Sequence, residues 1–191
     1  MRPALFATTV AFAFLAACGG PDSSQANNAQ ANIAGSAQPP AAAAGSSAAV
    51  TPLPTTAPAS RDEALKIMHE RHEGMEHMGD ATKAIGRELK AAAPDVAKIA
   101  SSAEAITGFA PKVPSLFPPG TGPDVGKTGA KPEIWQTPED FAAKAHDFQL
   151  AAQAFASAVS GGDAAAIKTS FGDLGKSCKA CHDKYRAKMK H

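Results

Sequence analysis

Residues 167–185 read Ile-Lys-Thr-Ser-Phe-Gly-Asp-Leu-Gly-Lys-Ser-Cys-Lys-Ala-Cys-His-Asp-Lys-Tyr, close to the end of a 191-residue chain. Ile167, Phe171, Leu174, Cys178, Cys181 and Tyr185 recur at steps of three and four, the period of one face of an α-helix. On such a helix Cys181 lies about 60° behind Cys178 and His182 about 40° ahead of it, so all three project to one side. Two thiols can then form thioethers with the two vinyl groups of one porphyrin while the adjacent imidazole reaches its iron. Cys-x-x-Cys-His is the attachment signal for covalent haem c, and His is a neutral nitrogen ligand at pH 7.

Three other uses of paired cysteines compete with this one. A thioredoxin-like redox pair wants a βαβ neighbourhood, and none is visible. A zinc site wants a fourth ligand, which only His191 begins to supply. A disulfide between residues three apart on a helix is poor geometry.

The helical rhythm extends upstream. Ser60 followed by Glu63 forms a capping box that opens a helix to about Lys90, with an inward row of Leu65, Met68, His72, Met75, Gly79, Thr82, Gly86 and Leu89. A second helix starts near Asp95, carries Val96, Ile99, Ala103 and Ile106, and stops at Pro111. The third starts at Thr137 with Pro138 first, stacks Phe141, Ala145, Phe148, Ala152, Phe155 and Val159, and ends at Gly161 and Gly162. Asp163 caps the fourth. Four successive stripes without strand-like alternation predict an all-α fold, an antiparallel four-helix bundle with covalent haem c on its C-terminal helix. The long Pro- and Gly-rich connection from about Pro111 to Gln136 has Phe117, Ile134 and Trp135 as apolar anchors and is expected to pack on the bundle.

Met1 to Ala17 holds Arg2 and an apolar run too short to span a bilayer, with the proportions of a signal peptide. Leu15-Ala16-Ala17-Cys18 resembles the lipobox of bacterial lipoproteins, which implies cleavage before Cys18 and its acylation; an ordinary cleavage with Cys18 incidental is the alternative. Several acyl chains would anchor the protein stably in a lipid bilayer. Gly19 after the cysteine points, by the same resemblance, to the outer membrane. From Cys18 to about Ala59 the chain is mostly Ala, Pro, Ser, Gly, Asn and Gln, too poor in large apolar groups to offset its ordering entropy, and reads as a disordered tether. About 40 residues of this kind have a typical span of roughly 35 Å and a limit of roughly 125 Å. The folded domain is then 60–191, after a signal peptide at 1–17 and the tether at 18–59. Lys and Arg number 19 against 18 Asp and Glu, and losing Arg2 with the leader balances them, so neither nucleic acid nor an anionic surface is implied as a partner.

Together these residues resemble class II cytochromes c, the cytochrome c-prime family. The resemblance covers Ser60 to Lys190. It is carried by Lys131-Pro132-Glu133-Ile134-Trp135 and by Phe171-Gly172-Asp173-Leu174-Gly175-Lys176-Ser177-Cys178-Lys179-Ala180-Cys181-His182-Asp183-Lys184-Tyr185-Arg186. It implies His182 as proximal iron ligand, Met75 on the first helix at the distal position, and Arg71 one turn earlier near a haem propionate. Three distal arrangements stay open: Met75 as sixth ligand in a low-spin branch, Met75 as a non-bonding gatekeeper, or His72 or Met78 in its place. The family also forms homodimers through its first two helices, where Gly79 and Gly86 are small. His69, His72 and His77 with Met68 and Met78 could be read as a surface copper or zinc site, but they spread around the helix as solvent-facing groups do. Lys179, Lys184, Arg186, Lys188 and Lys190 form a basic rim suited to an acidic redox partner.

The expectation is a lipid-anchored c-type cytochrome on the periplasmic side of a bacterial envelope, passing single electrons to redox partner proteins. The alternative is a five-coordinate haem that binds nitric oxide or carbon monoxide. No general acid or base is placed beside the distal position, so the chain is not expected to be an enzyme.

Overall fold

The structure, a computed structural model, describes residues 49–188. The leader, Cys18 and the tether as far as residue 48 lie outside the described residues, as do Met189, Lys190 and His191. Four long helices dominate: α1 (Arg61–Glu88), α2 (Val96–Phe109), α4 (Pro138–Gly161) and α5 (Ala164–Tyr185), with a single-turn α3 (Glu133–Gln136) in the connection between α2 and α4. The capping signals fall where the sequence places them. Ser60 Oγ accepts from Glu63 N at 3.2 Å, Asp95 Oδ1 from Lys98 N at 3.2 Å and Asp163 Oδ1 from Ala166 N at 2.6 Å. Glu63 returns its carboxylate to the N–H of Ala59 at 2.8 Å, one residue before the cap. Gly162 closes α4 at φ 74°, a left-handed conformation that glycine adopts without steric cost.

α1 packs on α2, α2 on α4 and α4 on α5. The inward stripe of α4 is buried in full, Phe141, Ala145, Phe148, Ala152, Phe155 and Val159, and Ile167, Leu174 and Tyr185 of α5 face it. Each large side chain removed from water this way contributes about 1.5–3 kcal/mol before the entropy of ordering it. Phe171 ties α5 to α1, where the pro-Cβ position of Gly86 lies 3.8 Å from its ring. Gly86 therefore faces inward, while Gly79 has open space around it.

Two sequence expectations need correction. The inward row of α1 is Ala64, Met68, Arg71, Gly74 and Ile85, with Met75 and Met78 partly buried against the core. Leu65 and His72 are exposed. Met68 is common to both rows, but the buried face shifts toward Ala64, Arg71 and Gly74 because Arg71 turns inward and Gly74 is covered by the Phe109 ring, two residues that composition alone assigns to solvent or to a weak point of the helix. Similarly, Val96 is 52 % exposed although it opens the α2 row.

The packed chain also begins before Ser60. Leu53, from the stretch read as tether, is 9 % exposed and belongs to the same hydrophobic core as the bundle helices. Pro52 and Pro54 on either side of it limit the backbone freedom lost on docking.

The connection packs as its anchors suggest. Phe117 and Ile134 are buried, and the Trp135 indole donates to the carbonyls of Phe117 and Pro118, both at 3.1 Å. The Phe117 ring meets Phe141 edge-on at 4.6 Å, and Phe141 meets Tyr185 at 5.2 Å, a ladder of rings from the connection through α4 to α5.

Candidate haem site

Cys178 and Cys181 lie on α5 where its helical period predicts, half-buried against the core and forming no disulfide. Burial pushes the Cys178 thiol up and carries Cys181 to about 11. Both are therefore thiols at neutral pH and require no counter-cation. His182 follows directly. Desolvation, and then the nearby Arg186 cation, lower its pKa below the usual histidine range, so the ring is neutral with a lone pair free for a metal.

Met75 sits on α1, partly buried against the same core, with Met78 one turn on and in a similar environment. His72 is solvent-facing and paired with Glu76 at 3.5 Å, which removes it from the distal set. His69 is likewise paired outward, with Glu73 at 3.2 Å. No backbone packing comparable to that of the other neighbouring helices joins α1 to α5 among the described residues. The methionine-bearing and cysteine-bearing helices are thus held by α2, α4 and the connection, and touch each other at Gly86 and Phe171.

Arg71, one turn before Met75, is 4 % exposed. Its guanidinium donates to four acceptors, all neutral: Nη1 to the Leu116 carbonyl at 3.0 Å and Thr121 Oγ1 at 3.1 Å, Nη2 to the Thr121 carbonyl at 2.9 Å and Thr128 Oγ1 at 3.1 Å. It also lies over the Phe117 ring, 4.6 Å from the centroid. Burial lowers its pKa to about 10, which leaves it charged at neutral pH.

The C-terminal end of α5 is fastened separately. The Tyr185 hydroxyl donates to Asp140 Oδ2 at 2.5 Å and lies 2.8 Å from Thr137 Oγ1, and Lys184 reaches the same carboxylate at 3.0 Å. These partners depress the Asp140 pKa, with the tyrosine hydrogen bond the largest cause. The basic rim is therefore partly neutralised: Lys184 is held by Asp140 and Lys179 by Asp183. Lys190 falls outside the described residues.

Two cysteines and an adjacent histidine on one helix, with no group of three or more His, Cys, Asp or Glu side chains placed to hold a metal ion among the described residues, fit a haem c joined through carbon–sulfur bonds better than a zinc site. Comparison with known proteins agrees. The family model described as Cytochrome C' matches residues 66–186. The chain belongs to the cytochrome c' family. A cytochrome c' of Allochromatium vinosum is 43 % identical over 103 residues, which cover 53 % of this chain and 61 % of that protein. A solved cytochrome c' whose structure is described as showing ligand-controlled dimer dissociation superposes with TM-score 0.61 at 36 % identity, covering 69 % of this chain and all of that one. The nitric oxide complex of a variant of the Alcaligenes xylosoxidans cytochrome c' superposes with TM-score 0.60 at 31 % identity, covering 70 % of this chain and all of that one. The fold is thus the family's four-helix bundle, and haem c is its cofactor.

Of the residues the sequence singles out, Cys178, Cys181 and His182 lie together on α5, and Met75 and Arg71 lie one turn apart on α1. Cys18 lies outside the described residues. Sequence reasoning missed Thr121, Thr128, Asp140 and Phe109. Only Phe109 left a trace, as a large ring beside the helix-ending Pro111; the threonines and Asp140 sit in surroundings where polar residues are usual.

Proposed function

We propose that this cytochrome c' holds its haem through Cys178 and Cys181, with His182 on the proximal side of the iron and Met75 as a non-bonding gate on the distal side. When bound, the haem supplies an iron that changes charge by one electron and, in the ferrous state, accepts a small diatomic ligand. The observation that carries this reading is the placement of Met75: partly buried against the same hydrophobic core as Cys178 and Cys181, one turn from a buried arginine.

Met75 is flexible and apolar at its tip, and fills space without demanding a bond. For a diatomic ligand to reach the distal side, this flexible side chain would have to swing aside. His182, neutral because of desolvation and Arg186, keeps its proximal position. Arg71 holds the Met75 segment to the connection; with both Nη atoms taken up by Leu116, Thr121 and Thr128, it would serve a haem propionate only through its charge or its remaining N–H. The nitric oxide complex of the related Alcaligenes protein supports the gas-binding reading.

A second reading is single-electron transfer with the Met75 sulfur as sixth ligand, favoured by the thioether itself. Carbon monoxide added to the ferrous protein separates the two. Tight binding with a high-spin, five-coordinate starting spectrum supports the gate, and a low-spin spectrum that Met75→Ala converts to high spin contradicts it. We place the protein on the periplasmic side of a bacterial envelope, lipid-anchored through Cys18, with an α1–α2 homodimer as its assembly and envelope redox proteins as partners. The cytochrome c' with ligand-controlled dimer dissociation supports the dimer. No enzymatic activity is proposed.

A further inference from the structure

The contacts of Arg71 differ in where they lead. Leu116 and Thr121 belong to the first half of the connection, and the Thr121 hydroxyl closes on that same half by donating to the Pro118 carbonyl at 2.8 Å. Thr128 leads elsewhere. Its Oγ1 accepts from Arg71 Nη2 at 3.1 Å and from the backbone N–H of Ala130 at 3.1 Å, so both acceptor positions of one hydroxyl are used. Ala130 pairs antiparallel with Arg186, just beyond α5. The pairing is closed by Lys131 N to the Tyr185 carbonyl at 3.0 Å and Ala187 N to the Gly129 carbonyl at 2.8 Å, and the Lys131 ammonium adds a bond to the Lys184 carbonyl at 2.7 Å. The N–H of Arg186 in turn donates to the His182 carbonyl at 3.0 Å.

Hydrogen bonds and the short stretches of backbone between them therefore join the turn of α1 before Met75 to the turn of α5 that carries His182, and the Thr128 hydroxyl is the link from Arg71 into the Ala130–Arg186 pairing. α1 and α5 lack close backbone packing of their own along this length, so these links restrain their separation from outside the core. A residue placed there needs a hydroxyl but no particular size beyond it, and a hydrophobic isostere would keep the shape and lose both bonds.

We propose that Thr128 is a positioning residue that couples the distal helix to the proximal one, holding Arg71 and the Ala130–Arg186 pairing in register through one hydroxyl. This rests on the assignment of Met75 and His182 to the two sides of the haem. The coupling sets how readily the Met75 segment moves away from the iron without moving His182. Spatial continuity alone does not establish coupling; non-additivity does.

The test uses the haem-loaded protein with Thr128→Val, Thr128→Ser, Arg71→Lys and the Arg71→Lys/Thr128→Val double variant. Thr128→Val and Arg71→Lys are each expected to change the carbon monoxide dissociation rate by about threefold or more, within the range such networks show, and the double variant to do no more than the larger single change. Thr128→Ser keeps the hydroxyl and restores the native rate. Additive single changes, or a serine variant that behaves like valine, overturn the proposal. Amide hydrogen exchange gives an arm that needs neither haem ligand nor the valine variant: Arg71→Lys should lower protection at Ala130 and Ala187, although neither touches Arg71. Unchanged protection there overturns the coupling. Thr121→Val removes another hydroxyl from the same guanidinium and should leave those two amides protected; equal loss in Thr121→Val means general loosening and also overturns it. Haem spectra insensitive to both Met75 and His182 would instead sink the axial assignment and leave the exchange result standing.

Discussion

Arg71 carries a full charge into the interior with no carboxylate beside it, and four neutral oxygens and one aromatic face make this tolerable. Removing the guanidinium strands those acceptors, so Arg71→Met should lower unfolding free energy by about 2–3 kcal/mol in a denaturant titration. Arg71→Lys should recover part of it, because an ammonium cannot span the same fork. Asp140 gives a pH dependence. Its folded pKa lies below the unfolded value, so its contribution is present above about pH 4 and is lost as pH falls through the folded pKa. Lys184, raised by the same pair, contributes fully below its unfolded pKa near 10.4 and loses that contribution as pH rises through the folded value. Asp140→Asn should flatten the acid limb of a stability-against-pH curve, and an unchanged limb would show that the Tyr185–Asp140–Lys184 contact does not survive in solution. At this scale the sequence was legible where chemistry demands a spacing, as at Cys178, Cys181 and His182. It was not legible at Thr128 or Asp140, whose importance comes from partners 57 and 45 residues away along the chain.

The helices follow from their caps and stripes: α4 was readable at both ends, from Pro138 to Gly161, and α5 at its Asp163 start, because their inward positions are apolar and these ends carry start or stop signals. α1 was harder. Its polar residues occur on all sides, and a row drawn through Leu65 and His72 leaves out Arg71 and Gly74, which face inward. A Cβ on Gly74 would lie 1.9 Å from the Phe109 ring, well inside contact distance. Gly74→Ala must therefore displace Phe109 or part α1 from α2, and should cost about 1–3 kcal/mol despite the better helix propensity of alanine. Phe109→Leu in the same background should return part of that loss. Thermal unfolding of the two variants checks both, and a stabilised Gly74→Ala would show that the ring is free to move aside.

For the molecule as a whole, the bundle is larger than its helical pattern implies. Leu53 docks from a stretch whose composition reads as tether, because a tether signal is an average and one leucine between two prolines does not disturb it. Deleting residues up to Ala59, or making Leu53→Ala, should reduce stability by about 2–3 kcal/mol, measurable as a shift in the denaturation midpoint. An unchanged midpoint would mean the segment is not part of the packed domain. No helix among the described residues is long and apolar enough to cross a membrane. The account depends above all on haem held by carbon–sulfur bonds to α5. Acid-acetone extraction of protein made in a host able to attach haem c tests this most directly. The colour should stay with the native chain and be absent from the Cys178→Ser/Cys181→Ser variant; colour that extracts from the native chain, or that persists after both substitutions, would contradict it.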